Sequence, residues 1–127
     1  MHWNGIAWRR ASSGAVRATA GLEGVSGTSA RNVWAVGATG GLVAASAGVM
    51  RPAARVTAAA AAPEPLMMHW NGTAWRRMSV PVPTHGGQLI GVYAASGRSA
   101  WAVGCTRNFA ARKAKPLVLR WNGTAWK

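Results

Sequence analysis

The chain contains an internal repeat, which limits the folds that its 127 residues can adopt. When the sequence is shifted by 67 positions, residues 1–37 align with residues 68–104 without a gap, and 19 of the 37 pairs are identical. A third, partial copy follows at an offset of 51, where residues 70–75 recur as residues 121–126. A period of this kind is typical of proteins that stack several copies of one small structural unit.

All eight tryptophans occupy repeated positions, whereas the chain has only one Phe and one Tyr. These positions are Trp3, Trp8, Trp34, Trp70, Trp75, Trp101, Trp121 and Trp126. A buried Trp side chain removes on the order of 200 Å² from water, so a pair of them can hold a small sheet in place. We therefore expect the tryptophans to be structural and to pack between the repeated units.

The dipeptide Asn-Gly, flanked by apolar residues, predicts a β-hairpin in each copy. It stands at residues 4–5, 71–72 and 122–123. Both central residues of a type I′ turn need a positive φ, which Asn and Gly adopt most readily. With Asn71 and Gly72 as the two turn residues, Trp70 would lie opposite Thr73.

A second hairpin is predicted with strands at residues 88–94 and 100–105 and a turn at residues 95–99. Gly24 and Gly91 share one repeat position in the strand before such a turn, and a glycine there allows another backbone to approach closely. Each unit of about 50 residues then holds four short strands, which is the content of one β-propeller blade.

Three recurring words carry a resemblance to a known family. They are Leu-x-Gly-Val at residues 22–25 and 89–92, Trp-Ala-Val-Gly at 34–37 and 101–104, and Trp-Asn-Gly-Thr-Ala-Trp at 70–75 and 121–126. In this order they resemble the tandem repeats of β-propeller proteins common in high-GC actinobacteria, which are loosely akin to kelch-type propellers. The resemblance covers roughly 100 of the 127 residues.

The resemblance implies a secreted or envelope-associated module that binds or scaffolds. The sequence departs from the family in three respects, one of which is an Ala-rich insertion. Met1 is followed by no segment of signal-peptide type, so the compartment is left unassigned. Asn32 and Ser99 stand two residues before the Trp-Ala-Val-Gly blocks, where the family often has Asp.

We expect an all-β fold, namely an incomplete β-propeller of about two and a half four-stranded blades. Residues 1–10 would form a partial blade made of one two-stranded hairpin, residues 11–86 the first full blade, and residues 87–127 the second blade. An Ala-rich insertion at about residues 43–65 would interrupt the first full blade, as a stray helix near residues 53–62 or as disorder.

Propellers close with four to eight blades, so two and a half blades leave open edges and an exposed Trp-rich side. Three solutions are open: several chains could assemble into one ring by self-association, the chain could be a piece of a larger protein, or it could be a decayed reading frame. We favour a fragment or decayed relative, because the first residue falls inside a repeat and the Ala-rich tract interrupts a unit.

The composition argues against an enzyme and against bound cofactors or metals. Glu23 and Glu64 are the only acidic side chains, and from these two alone we expect neither paired-acid catalysis nor an oxygen cage around Ca²⁺ or Mg²⁺. Cys105 is the single thiol, which excludes an intrachain disulfide and a cysteine-rich zinc site. His2 and His69 share one repeat position in different units, so we expect them to lie apart and to form no metal site. Together with the few acids and the single thiol, this leads us to expect no cofactor and no catalytic residue.

The charge balance leaves two alternative functions open. With 15 Lys and Arg residues against 2 acids, the net charge of +13 would attract nucleic acids or other polyanions nonspecifically. The candidate anion-binding residues are Arg9, Arg10, Arg76, Arg77 and Lys127, which recur at the ends of the last strands. Exposed Trp rings could instead stack on glycans in a lectin-like module. The most apolar stretch, residues 42–50, is too short to span a bilayer.

Overall fold

A computed structural model of the chain describes residues 2–3, 5–11, 20–40, 62–108 and 113–127. Regular structure in these ranges consists of strands alone, so the prediction of an all-β fold is confirmed. The strands are β1 (His2–Trp3), β2 (Trp8–Arg9), β3 (Ala20–Ser29), β4 (Asn32–Thr39), β5 (Glu64–Trp70), β6 (Trp75–Arg77), β7 (Gly87–Ser96), β8 (Ser99–Asn108) and β9 (Lys113–Trp121). The predicted helix near residues 53–62 falls, except for its last residue, outside the described residues.

The strands form three antiparallel sheets. β1 pairs with β2; β3, β4, β5 and β6 pair in chain order as the first sheet; and β7, β8 and β9 pair in chain order as the second sheet. β3 and β7 both carry a β-bulge, at residues 22–24 and at residues 89–91, positions that lie 67 residues apart. The repeated words therefore occupy equivalent strands in the two larger sheets.

The chain after β9 folds back onto the second sheet. Trp121 forms a bridge with Trp126, and Arg120 and Lys127 exchange two backbone hydrogen bonds of 2.8 and 3.0 Å. This short segment takes the place beside β9 that β6 has beside β5 in the first sheet.

The Asn-Gly hairpins form where they were expected, but the predicted register is wrong. Trp70 lies opposite Trp75 and not opposite Thr73, so the two turn residues are Gly72 and Thr73. Gly72 has a φ of +98°, a backbone conformation that a residue with a side chain rarely adopts.

The side chain of Asn71 explains why the turn begins one residue later. Its Oδ1 accepts hydrogen bonds from the backbone N–H groups of Thr73 and Ala74, at 2.9 and 3.0 Å. An Asn side chain can replace a backbone carbonyl in this way, which makes Asn71 the residue before the turn and not its first central residue. Asn122 makes the same two hydrogen bonds, both of 2.9 Å, in the last hairpin.

Two predicted boundaries also differ from the observed ones. The predicted insertion extends to residue 65, but β5 begins at Glu64, and Pro65 already pairs with Ala38 of β4. A proline is accommodated there because β6 pairs only with residues 68–70, so this half of β5 needs no N–H donor on that side. The turn between β7 and β8 is shorter than predicted, since β7 ends at Ser96 and β8 begins at Ser99.

The two larger sheets stack face to face, and the main core lies between them. The ring centroid of Trp34 in the first sheet lies 5.1 Å from that of Trp121 and 5.2 Å from that of Trp126. The side chains buried in this core are Trp34, Val36, Met67, Leu89, Ala94, Ala100, Ala102, Leu119, Trp121 and Trp126. A smaller buried cluster lies on the other face of the first sheet and contains Ala35, Leu66 and Met68.

β3 and β7 approach each other closely at a glycine. A Cβ atom at Gly24 would lie 2.8 Å from the carbonyl oxygen of Ile90 and 3.1 Å from the Cα atom of Gly91. The predicted close approach of another backbone is therefore confirmed at Gly24. The backbone of Gly91 is itself the approaching partner, but the side of Gly91 that its own Cβ atom would occupy meets only Val103 of the same sheet, at 3.4 Å, among the described residues.

Candidate functional site

The second sheet has one face in the core and one face toward solvent. Successive side chains of a strand point to opposite faces, so Ala100 and Ala102 of β8 enter the core while Trp101 and Val103 point outward. We call the outward-facing set the outer face, which consists of Tyr93, Trp101, Val103, Val118 and Arg120.

The residues of the outer face form two adjacent rows across three strands. Trp101 pairs with Tyr93 of β7 and with Arg120 of β9, and Val103 pairs with Val118 in the next row. The four apolar members are between 44% and 65% exposed. A contiguous apolar surface of this kind is typical of a site that another molecule covers.

Arg120 places a positive charge beside the aromatic part of the outer face. Its guanidinium carbon lies 5.4 Å from the ring centroid of Trp101. A cation–π contact at an exposed site contributes about 0.5–1 kcal/mol, enough to bias the orientation of both side chains. The backbone of Arg120 is held by its hydrogen bonds to Lys127.

The first sheet has a face that corresponds to the outer face, but the second sheet covers it. The matching residues are Trp34, Val36 and Met67, which lie 67, 67 and 51 residues before Trp101, Val103 and Val118. All three are at most 1% exposed, because the second sheet packs over them. The two copies of one face thus differ in whether a further sheet lies on top.

The repeated tryptophans do not share one environment. Those that pack between the sheets, with their side chains buried, are Trp34, Trp121 and Trp126. Trp70 and Trp75 are half-buried and face each other with ring centroids 5.7 Å apart. The exposed ones are Trp8 and Trp101. The side chain of Trp3 lies outside the described part of the structure.

The five predicted anion-binding residues are all exposed and lie on three separate elements. Arg9 ends β2 and Arg10 follows it, Arg76 and Arg77 end β6, and Lys127 follows the last hairpin. The guanidinium of Arg77 lies 3.8 Å from the carboxylate of Glu64. Because both side chains are about half exposed, this pair contributes at most about 1 kcal/mol to stability.

Sequence reasoning missed four residues of the outer face, namely Tyr93, Val103, Val118 and Arg120. Comparing the copies with each other could have found two of them. Tyr93 stands where the first sheet has Ser26, and Arg120 stands where it has His69. A change of side-chain size or charge between two copies of one face, as in these two pairs, indicates that the face meets different surroundings.

His69 lies at the rim of the core between Trp34 and Asn32. Its ring centroid is 4.2 Å from that of Trp34, and its Nε2–H donates a 2.8 Å hydrogen bond to Oδ1 of Asn32. Nδ2 of Asn32 in turn donates to Oγ1 of Thr28 at 2.6 Å. Burial lowers the pKa of His69 below its usual 6.5, since the charged form loses hydration.

We predict that mild acid destabilises the chain in part through His69. The folded state binds this proton less readily than the unfolded chain does, so the free energy of unfolding falls as the pH drops below about 6.5 and levels off below the folded-state pKa. Thermal melts between about pH 8 and about pH 5 should show a smaller loss in His69→Gln, which keeps a donor for Asn32. Equal losses in both proteins would contradict the assignment.

The His, Cys, Asp and Glu side chains of the described residues are not grouped as a metal site would require. In those ranges, no group of three or more His, Cys, Asp or Glu side chains comes together, and no helix is long and apolar enough to cross a membrane. Cys105 is half-buried in β8, where it pairs with Gln88 on one side and Pro116 on the other.

No family model, curated protein or solved structure matches the chain. The proposed function therefore rests on the chain itself. It uses the exposed outer face, its covered counterpart in the first sheet, and the repeat that relates the two.

Proposed function

We propose that this chain is a non-enzymatic, β-propeller-type repeat module whose outer face provides a binding or scaffolding surface. The first and second sheets are its two successive blades, and the β1–β2 hairpin is half of a preceding one. The observation that carries the proposal is the exposure of Trp101, whose counterpart Trp34 is buried by a stacked sheet. Trp34 and Trp101 occupy the same position in their sheets, but the ring of Trp34 is covered by another sheet and the ring of Trp101 is partly exposed to solvent.

The packing of the two larger sheets supports the comparison with blades. Each is an antiparallel meander in chain order, and β7 of the second sheet lies against β3, β4 and β5 of the first. Propellers pack successive four-stranded sheets face to face in this manner around a common axis. Gly24, where β3 and β7 approach, supports the assignment of these strands to the crowded inner side.

The polar side-chain contacts favour the interpretation of the chain as a binding module rather than as an enzyme. His69 binds Asn32, and the side chain of Asn32 binds Thr28. Asn71 and Asn122 hold the hairpin turns through backbone N–H groups. Among the described residues, these contacts orient the turns and the imidazole ring of His69, and none of them joins that imidazole directly to a hydroxyl or thiol group.

The two alternative functions receive less support from the described residues. The five basic side chains lie on three elements, and the charge of Arg77 is partly offset by Glu64. A glycan site would need a ring face open for stacking, whereas the guanidinium carbon of Arg120 lies 5.4 Å from the ring centroid of Trp101, and Val103 and Val118 in the next row offer a sugar no hydrogen bonds. The outer face is thus better suited to another apolar protein surface.

The proposal predicts that the outer face can become polar without loss of the fold. In the triple variant Trp101→Gln, Val103→Thr, Val118→Thr, we expect the melting temperature to stay within about 5 °C of wild type. The apolar dye ANS should bind the wild type and not the variant. The matched control is Val36→Thr, the buried counterpart of Val103, which should cost about 1–3 kcal/mol because its hydroxyl has no partner in the core.

A triple variant that melts as early as Val36→Thr would show that the outer face is needed for folding, and the proposal would be wrong. A dilute, folded wild type that does not bind ANS would also overturn it.

A further inference from the structure

Two surfaces meet where the first and second sheets pack together. Because the chain is a repeat, a counterpart of each of these two surfaces occurs elsewhere in the chain, and both counterparts are exposed. One side is the face of the first sheet that carries Trp34 and Val36. Its counterpart is the outer face of the second sheet. The other side is β7, which lies against β3, β4 and β5 and buries Leu89 and Ala94. The N–H of Ala94 also donates a 3.0 Å hydrogen bond to Oγ of Ser26 in β3.

The counterpart of β7 is β3, and its matching side chains are open to solvent. Leu22 and Val25 lie 67 residues before Leu89 and Val92. Leu89 is fully buried, and Val92 is partly buried against the core between the sheets. Leu22 is 55% exposed and Val25 is 68% exposed. The chain therefore carries an exposed strand of the type that covers this face.

Gly91 supplies an independent observation. In the first sheet the matching Gly24 admits the backbone of β7, since a Cβ atom there would come within 2.8 Å of the carbonyl oxygen of Ile90. At Gly91 the described residues leave room for a side chain, because a Cβ atom would meet only Val103 at 3.4 Å. A glycine at this place is explained if another strand passes over it.

We infer that the outer face binds a second copy of this chain, whose β3 packs over Gly91 with Leu22 and Val25 against Trp101 and Val103. This inference rests on the proposed function and names the partner of the same face. The two contacting surfaces lie on opposite faces of the stacked sheets, so the association is heterologous. Copies add head to tail, and the rotation between them decides between a closed ring and an open fibre.

The first experiment is sedimentation velocity on the full chain at concentrations up to about 100 µM. Salt at about 0.15 M screens the repulsion between copies that each carry a net charge of +13. We expect the wild type to self-associate. Gly91→Ala, which blocks the approach of β3, and Leu22→Asp, which charges the opposite surface, should each weaken association at least about tenfold.

A matched glycine controls for the backbone effect. Gly97 lies in the turn between β7 and β8 with open space around its Cβ position, so Gly97→Ala should associate as the wild type does. Far-ultraviolet circular dichroism checks that each variant is folded. If Gly91→Ala does not fold, Trp101→Gln replaces it, because this exposed side chain lies on the same surface.

Mixing the two variants tests the head-to-tail geometry. Gly91→Ala keeps an intact β3 surface and Leu22→Asp keeps an intact outer face, so an equimolar mixture should form a one-to-one dimer at concentrations where each variant alone associates at least about tenfold more weakly than the wild type. Self-association that survives Leu22→Asp would overturn the inference in favour of outer face against outer face. A monomeric wild type would also overturn it, while ANS binding would still test the proposed function separately.

Discussion

Trp34→Ala should lower the free energy of unfolding by about 3–5 kcal/mol, whereas the same change at its repeat counterpart Trp101 should lower it by less than about 1 kcal/mol. Trp34 is 1% exposed and its ring packs against those of His69, Trp121 and Trp126. Removing it leaves a cavity between the sheets. Trp101 is 44% exposed, so its removal opens no cavity.

Urea denaturation followed by circular dichroism measures both changes. Trp34→Phe is the matched control, because it keeps an aromatic ring in the core. Nε1 of Trp34 is buried without a hydrogen-bond partner among the described residues, so the phenyl ring forfeits no hydrogen bond there. We expect Trp34→Phe to retain more than half of the stability that Trp34→Ala loses. Equal losses for Trp34→Ala and Trp101→Ala would contradict the assignment of covered and open faces.

Gly104→Ala should cost about 3 kcal/mol, although Ala is ordinarily well tolerated in place of Gly. Gly104 ends a Trp-Ala-Val-Gly block and pairs with Leu89, the residue at which the bulge of β7 begins. A Cβ atom at Gly104 would overlap the carbonyl oxygen of Gln88. The backbone of β7 therefore has to shift, and with it the strand that contacts the first sheet.

Gly37→Ala should show a loss of similar size, because a Cβ atom there would overlap the carbonyl oxygen of Gly21 in the matching bulge of β3. Gly97→Ala again serves as the control and should change stability by less than about 0.5 kcal/mol. The same urea titrations compare the three variants. If Gly104→Ala were as stable as Gly97→Ala, the bulge would not constrain this position.

The hairpins show how far local sequence rules extend. The Asn-Gly dipeptides mark the right places in the chain, since a positive φ at Gly72 is a local requirement. The register could not be read from the dipeptide, because the side chain of Asn71 competes with the backbone for the same hydrogen bonds and moves the turn by one residue. A shift of one residue in the turn changes every cross-strand pair, including the contact between Trp70 and Trp75.

The sequence by itself determined the strand content, the position of the hairpins and the repeat that relates the two larger sheets. These follow from local chemistry, namely side-chain alternation, turn propensity and the absence of a side chain at glycine. Only the tertiary structure decided which copy of a face is in the core. Trp34 and Trp101 are both followed by Ala-Val-Gly, but burial depends on whether another sheet lies over the strand, and this shared block does not record that. The candidate binding surface arises from this difference.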